Sequence, residues 1–543
     1  MRGWIVLLMY ILITIPAYRA LRLPWMISGH DADAAIFKAI ELKNALVDGH
    51  FPVRWSKRLN FGLGLPTFTF TYNLPYYLAA GLSFLGMSVV SAEKLIMGAS
   101  FPLSAFFAYL WLKKHFRQWP SFVGGLLYSL VPYHFLNVYV RFALGEVVAA
   151  TLLPLIFYLI DRLLNKLDGK NVALCGVGTA ALLLSHQFYA LIFIPLGLVY
   201  AFVISGKKVS RIGISLVLGL LLGSYYLIPM MAYKKYTYLD NPQEYFLAHD
   251  NFLTLQDLII PAWGFGDLKD DKPGRMSLQI GVVHLGLLGV GFWLMFSSKT
   301  DKNKQLLIYF GALIMSSAVM MIEISMPVWK LVPILQNVQF PWRLMSVVVI
   351  ATAFCGAYVL EKLRLKWIAV VVSILLIVAY KDYWRAGRYF PWEDRTIKSI
   401  GWPGTLTMLL EETPRWHLIR QEPNPYHQSQ LPEGEATINN LVWKTNYHKF
   451  MISAKTESVM SDKTHYWPGW TAYIDGVKTP LLNPYDFLSQ GLITFRVPPG
   501  KHEVEVKLLE TPLEKLADSL SIIGLVIVAG LLFAPYGNLR IFE

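Results

Sequence analysis

Twelve apolar runs, each close to the length of a membrane-crossing helix, constrain this chain more than any other feature. They lie near residues 4–20, 94–112, 121–135, 147–164, 172–186, 188–205, 211–230, 276–296, 305–322, 342–360, 366–381 and 518–534. A helix needs about 17–25 mainly apolar residues to cross the hydrocarbon core, and in lipid its backbone groups must all be paired internally. The runs therefore predict a polytopic α-helical membrane protein with about twelve transmembrane helices. Composition agrees: 55% of the 543 residues are hydrophobic and 16% are charged, against about 25% charged in soluble domains. The same balance excludes disorder, a coiled coil and a collagen-like chain. Cys175 and Cys355 are the only cysteines and each sits in an apolar run, which leaves no disulfide framework and no cysteine metal site.

The charge balance is basic, 49 Lys and Arg against 36 Asp and Glu, net +13. Much of the excess falls in five short connections: Lys113, Lys114 and Arg117; Arg162, Lys166 and Lys170; Lys207, Lys208 and Arg211; Lys299, Lys302 and Lys304; Lys362, Arg364 and Lys366. The positive-inside rule places all five in the cytoplasm, so no nucleic-acid partner is needed to explain them. Connections 136–146, 185–187, 231–275 and 323–341 then lie outside, as does the polar segment 383–515, and the C-terminus returns to the cytoplasm. The first run lacks a small-x-small cleavage site and is followed by Arg19 and Arg22, the pattern of an uncleaved anchor. Segment 72–90 admits two readings. As a span it would place loop 21–71 inside; as a re-entrant or juxtamembrane helix, suited to Pro75, Gly81 and Gly86, it would leave that loop outside.

Segment 33–47 carries Ile36, Phe37, Ile40, Leu46 and Val47 at helical spacing, an amphipathic helix suited to a membrane interface. Phe51 to Pro66 reads as an ordered loop rich in Gly, Pro and Arg. Segment 383–515 begins irregularly with many prolines and tryptophans, then alternates like strands from about residue 436. Asp475-Gly476 between two short runs is a hairpin signal, and Pro499-Gly500 opens another strand. This predicts a small β-sandwich outside the membrane, tethered by helices.

Few polar residues could carry chemistry. His30-Asp31-Ala32-Asp33 opens the amphipathic helix; one aspartate suffices to cap it, and the other is free to accept a proton from a sugar hydroxyl or to bind a divalent cation. Arg141 and Glu146 sit at the outer mouth of the fourth span, as a local ion pair or facing a cavity. An arginine there suits a lipid-linked phosphate, because its fork pairs with two oxygens. Ser185-His186-Gln187 is a polar island in a tight hairpin. Trp342 fits an aromatic belt, while Arg343 fits a snorkelling anchor or a phosphate contact. Asp48-Gly49-His50 ends the amphipathic helix, and Arg54-Trp55, with Lys57 and Arg58, reads as a basic interfacial loop. Trp467 and Trp470 are stacking platforms for a glycan or buried sandwich aromatics.

These residues resemble those of bacterial integral membrane proteins of the YfhO-like and 6-pyruvoyl-tetrahydropterin-synthase-related groups, in the GT-C glycosyltransferase superfamily. The resemblance rests on His30-Asp31, on Asp48 to Trp55, on Gly62 to Pro66 and on Tyr72 to Tyr77. It continues through Arg141 to Glu146, Gln339 to Arg343, Tyr466 to Trp470, Asp475-Gly476 and Val497 to His502. It implies a GT-C-like transmembrane domain over 1–382, with 21–71 as its first extracytoplasmic loop and 72–90 as a juxtamembrane helix. An extracytoplasmic β domain follows over 383–515, then a final transmembrane helix and short tail over 516–543. Both termini are then cytoplasmic in a multi-pass protein of the cell membrane. It implies Asp31 as catalytic base or ligand of a divalent cation (Mg or Mn), with Asp33 second and Glu146 as a further acid. Arg141, Arg343 and His186 would hold the phosphate of a polyprenyl-linked sugar donor, and His30, His50, Arg54 and Trp55 would line the loop or acceptor side. The acceptor would be a glycan, polymer or lipid. The pterin-synthase name implies no such activity here, since no triad of metal-binding histidines is present. The rival readings are a transporter or flippase of lipid-linked glycans, with charges expected mid-span and an inverted repeat, and a non-catalytic envelope assembly protein.

Overall fold

The computed structural model describes residues 2–60, 62–240, 251–268, 274–297, 303–391, 411–417 and 429–533. Lys299 and Lys302, stretches 392–410 and 418–428 of the polar segment, and the tail from 534 lie outside them.

Helix α1 (Gly3–Thr14) runs into a 3₁₀ turn, Ile15–Arg22. Tyr10 on α1 is buried, stacks on Phe122 at 4.7 Å and donates to its carbonyl. After β1 (Met26–Ile27) come α2 (Ala32–Val47) and α3 (Leu74–Phe84). The bundle continues with α4 (Val89–Leu112), α5 (Gln118–Ser129), α6 (Leu144–Asn165), α7 (Gly169–Ser185), α8 (Gln187–Ser205), α9 (Ser210–Leu222) and α10 (Ser224–Tyr233). It then adds α11 (Val282–Ser297), α12 (Lys304–Met320), α13 (Met345–Leu363) and α14 (Lys366–Tyr380). Helix α13 is central, every side chain from Met345 to Leu360 being buried. The last helix, α15 (Pro512–Phe533), packs on α7, α9 and α10 and turns Ile522, Leu525 and Val526 outward.

Among the described residues, six helical stretches are long and apolar enough to cross a membrane, and three shorter apolar helices accompany them. The twelve expected spans are not all continuous. Run 121–135 stops at Ser129, where Pro132 removes a backbone donor and starts a new turn. Run 211–230 breaks at Gly223, and 276–296 becomes helical only at Val282. Segment 72–90 holds an 11-residue helix, then a turn, then the start of α4. Eleven residues reach about 16 Å, about half the hydrocarbon thickness. Helix α2 also differs from a free interfacial helix: Ile36, Phe37, Ile40 and Leu42 are buried within the protein, where it packs on α3 and α4.

The polar segment forms strands where the alternation predicts them. A five-stranded antiparallel sheet has the order β4 (Ala436–Trp443), β5 (Tyr447–Ala454), β10 (Gly500–Leu508), β7 (Trp470–Ile474), β8 (Val477–Thr479). A three-stranded sheet runs β3 (Ser429–Glu433), β6 (Ser458–His465), β9 (Leu492–Val497). Phe450, Val504 and Val506 of the first sheet share an apolar core with Met460, Phe495 and Val497 of the second. Asp475 and Gly476, both at positive φ, close the β7–β8 hairpin. β1 pairs with β2 (Tyr389–Phe390), tying the first loop to the end of the bundle.

The β domain sits on the first polar loop. Trp55 packs edge-on against Trp470 at 5.8 Å, and the His465 amide donates to Leu63 O at 2.8 Å. Asp48 accepts from the Thr445 amide and hydroxyl, both at 2.7 Å, and pairs with Lys57 at 3.1 Å. The basic loop is thus internally paired: Arg54 with Asp518, Lys57 with Asp48, Arg58 with the buried Glu41. Trp467 and Trp470 are buried, 2% and 3% exposed.

Candidate functional site

The site is assembled where the start of α2 meets the approach to α6. The chain from Leu136 to Arg141 winds as a π-helical turn, a rare geometry often found at functional sites, and leaves it through Phe142 at φ 56°. The amides of His30 and Asp31 then donate to Val140 O and Arg141 O at 3.1 and 2.8 Å. Such an approach requires Gly29, whose added Cβ would lie 2.6 Å from Phe142 Cβ and 2.9 Å from the Arg141 backbone. Gly145 does the same for Tyr72, whose ring lies 2.2 Å from where a Cβ would sit.

Glu146 in the first turn of α6 is the hub. Its Oε1 receives Arg141 Nη1 and Arg343 Nε, both at 2.9 Å, with His186 Nε2 at 3.9 Å; Tyr133 Oη donates to Oε2 at 3.3 Å. Arg141 also donates to Asn137 Oδ1 at 2.9 Å, reaches Asp31 Oδ2 through Nη2 at 3.3 Å, and lies over the Trp342 ring at 4.7 Å. The side chains of Glu146 and Arg141 are 2% and 5% exposed, Arg343 14% and Asp31 36%. The cluster is therefore balanced, two carboxylates against two guanidiniums, and Asp31 is its most open member.

Asp31 occupies the cap position of α2 without making a side-chain cap hydrogen bond. Its carboxylate faces Arg141. Asp33, in the first turn, shares none of these contacts, and burial raises its carboxyl pKa. His30 is held by Phe265 O at 2.9 Å and lies 3.7 Å from Asp267. His186 stands against the Tyr72 ring at 5.0 Å, and its buried Nδ1 has no partner. Trp342 is 2% exposed and stacked under an arginine, so it is no belt residue, and Arg343 points inward rather than snorkelling. His50, Arg54 and Trp55 are not part of this cluster; they line a cavity under the β domain.

Several participants escaped sequence reasoning. Tyr133 and Asn137 lie in an apolar run with no polar signature. Glu411 and Glu412 come from the irregular polar segment and reach the rim of the bundle: Glu412 accepts from Thr71 at 2.9 Å and lies 3.7 Å from Lys38. Burial and the neighbouring Glu412 raise the Glu411 pKa, opposed by Lys38 and Arg343. No group of three or more His, Cys, Asp or Glu able to hold a metal occurs among the described residues.

A family model for the 6-pyruvoyl-tetrahydropterin synthase related domain, a membrane protein family, matches residues 68–390, more than half of the chain. The chain belongs to this family. The matched region contains Tyr72, Arg141, Glu146, His186 and Arg343, whereas Asp31 precedes it. No curated protein matches the sequence. Two solved structures are similar in part. The arabinofuranosyltransferase AftD from Mycobacteria aligns at 12% identity and TM-score 0.46, over 72% of this chain and 27% of its own. The Archaeoglobus fulgidus oligosaccharyltransferase in its apo form aligns at 12% identity and TM-score 0.45, over 71% of this chain and 56% of its own. The chain thus spans well under two thirds of either structure, and at these scores the likeness carries no functional argument.

Proposed function

We propose that this membrane protein is a glycosyltransferase of GT-C type, moving a sugar from a polyprenyl-phosphate-linked donor to a glycan, polymer or lipid acceptor at the extracytoplasmic face. The observation that carries the reading is the half-open Asp31 carboxylate 3.3 Å from a buried arginine. A proton acceptor and a phosphate ligand stand side by side at the end of the bundle. The resemblance drawn from the sequence motifs points the same way.

Asp31 accepts the proton of the acceptor hydroxyl while its oxygen attacks the anomeric carbon. The bond from that carbon to the phosphate oxygen breaks, and the electron pair leaves on the polyprenyl phosphate. Arg141 and Arg343 take up the phosphate charge, their hold on Glu146 being exchanged in part for the ligand's oxygens. Glu146 keeps both guanidiniums aimed before the donor arrives, and His186 closes the site beside it. A divalent cation fits these residues poorly. Asp31 already faces Arg141, and among the described residues no group of three or more His, Cys, Asp or Glu could cage an ion. No step is routed through one.

The test is donor consumption by purified protein given polyprenyl-linked sugars. Asp31→Asn should express normally and lose sugar transfer by about 10²–10⁴-fold, the share of a general base. Unchanged turnover would remove Asp31 from the mechanism, and movement of the lipid-linked sugar across a bilayer without hydrolysis or transfer would establish a flippase instead. Dialysis against EDTA should leave the rate unchanged; a rate restored only by Mg or Mn would show that a cation shares the phosphate.

A further inference from the structure

The connection between α12 and α13 is poor in charge and rich in uncovered apolar side chains. Residues 321–344 hold three charged groups, Glu323, Lys330 and Arg343, and Arg343 is turned inward onto Glu146. The connection runs through a 3₁₀ turn (Glu323–Ser325), a short helix (Met326–Leu331) and a second turn (Pro333–Asn337). Along it Ile324 is 76% exposed, Val328 45%, Leu331 83% and Ile334 54%. Ile324, Val328 and Leu331 follow at i, i+4 and i+7, the spacing of one helical stripe.

The opposite side is fixed to the end of α12. Trp329 is buried, and its Nε1 donates to Met320 O at 3.0 Å and to Ser325 Oγ at 3.1 Å. Its ring meets Phe252 edge-on at 6.3 Å, and the Leu253 amide donates to Met321 O at 2.8 Å. The segment that follows Leu253 leaves Leu255, Ile259 and Ile260 more than half exposed as well.

What covers these side chains follows from where the connection begins and ends. Helix α12 has 17 residues, about 26 Å, against a hydrocarbon core of about 30 Å, and it turns Ile308, Met315 and Val319 outward. The stretch Pro341–Leu363, which contains α13, is long and apolar enough to cross a membrane. A connection from the end of one spanning helix to the start of the next lies at the membrane surface. Ile324 comes five residues after the outward Val319, so the stripe continues the lipid-facing side of α12. Helices with such a stripe rest about 5–10 Å into the boundary between headgroups and acyl chains. Glu323 and Lys330 cancel in charge, so the surface has no preference for anionic headgroups.

We propose that residues 324–334, with Leu255 to Ile260, are sunk in the bilayer leaflet on the side of the Asp31 centre, their apolar side chains resting on lipid chains. The surface is independent of whether Asp31 transfers sugar, and its test does not depend on turnover.

Single-cysteine variants Ile324→Cys, Leu331→Cys and Ile259→Cys are labelled with bimane in full-length protein, in phosphatidylcholine nanodiscs. Cys175 and Cys355 are buried and should take up little label. Phosphatidylcholine brominated on its acyl chains should quench these three labels several-fold more than a label at Val477→Cys on the β7–β8 hairpin. Aqueous iodide should show the reverse order. Should a variant melt early, Val328→Cys and Ile334→Cys serve instead, with the same order expected. The proposal is overturned if the labels respond like Val477→Cys, which would leave the stripe in water. It is equally overturned if neither quencher reaches them, which would place a second copy of the chain or another protein on the stripe.

Discussion

Glu146 shows how much depends on one carboxylate. It lies 2% exposed between two guanidiniums, and removing one member of such a group leaves the others charged and desolvated. Glu146→Gln should therefore destabilise the protein by about 3–5 kcal/mol, since it leaves Arg141 and Arg343 unbalanced. Thermal melting in detergent checks this, and a control variant, Val47→Ala, 67% exposed at the far end of α2, should melt like the parent. A Glu146→Gln melt equal to the parent's would mean that the arginines find other partners. At this scale the sequence was partly legible. Asp31, Arg141, Glu146, His186 and Arg343 could be picked out because charge in or beside an apolar run is costly and rarely idle. Tyr133 and Asn137 could not, because polar but uncharged groups in a greasy run look the same whether they face lipid, core or ligand.

At the scale of elements, the decisive device is the seam between loop and β domain. Asp48 ends α2 and holds Thr445 and Lys57. Burial alone would raise its pKa, but the hydrogen bonds from Thr445 and Lys57 outweigh that and hold it below the ordinary 3.8. A depressed folded pKa means that its stabilising effect is present above the unfolded value and fades as pH falls through the folded one. Asp48→Ala should therefore melt below the parent at pH 6, and the gap should close on acidification below about pH 4. A gap independent of pH would show that packing, not the carboxylate, seats the domain. The strands and the Asp475-Gly476 hairpin were readable because alternation and turn chemistry are local. The breaks in runs 121–135 and 211–230 were less so: a hydropathy run does not report the proline or the close packing of Leu183 on Gly223 that interrupts a helix within it.

The whole molecule bears on the question that hydropathy left open. Loop 21–71 touches the β domain through Trp55, Leu63 and Asp48, and helix α3 is about 16 Å long, about half the hydrocarbon thickness; we propose on these grounds that loop and β domain share one face of the membrane. In the proposed orientation that face is outside. Val477→Cys on the exposed β7–β8 hairpin, 71% exposed, should be labelled on intact cells by a membrane-impermeant maleimide. The two native cysteines are buried and should give little background. Labelling only after lysis would invert the orientation and move the Asp31 centre to the cytoplasm.

By itself the sequence determined that this is a many-helix membrane protein with a strand-rich polar domain, because lipid demands long apolar runs and strands demand alternation, both written in neighbouring residues. Tertiary structure alone decided that Asp31, 110 positions from Arg141, shares one balanced charge cluster with it and with Arg343. It also decided that His50, Arg54 and Trp55 belong to a different cavity. Burial and pairing across such distances depend on how helices and loops pack, and one-dimensional spacing does not record that.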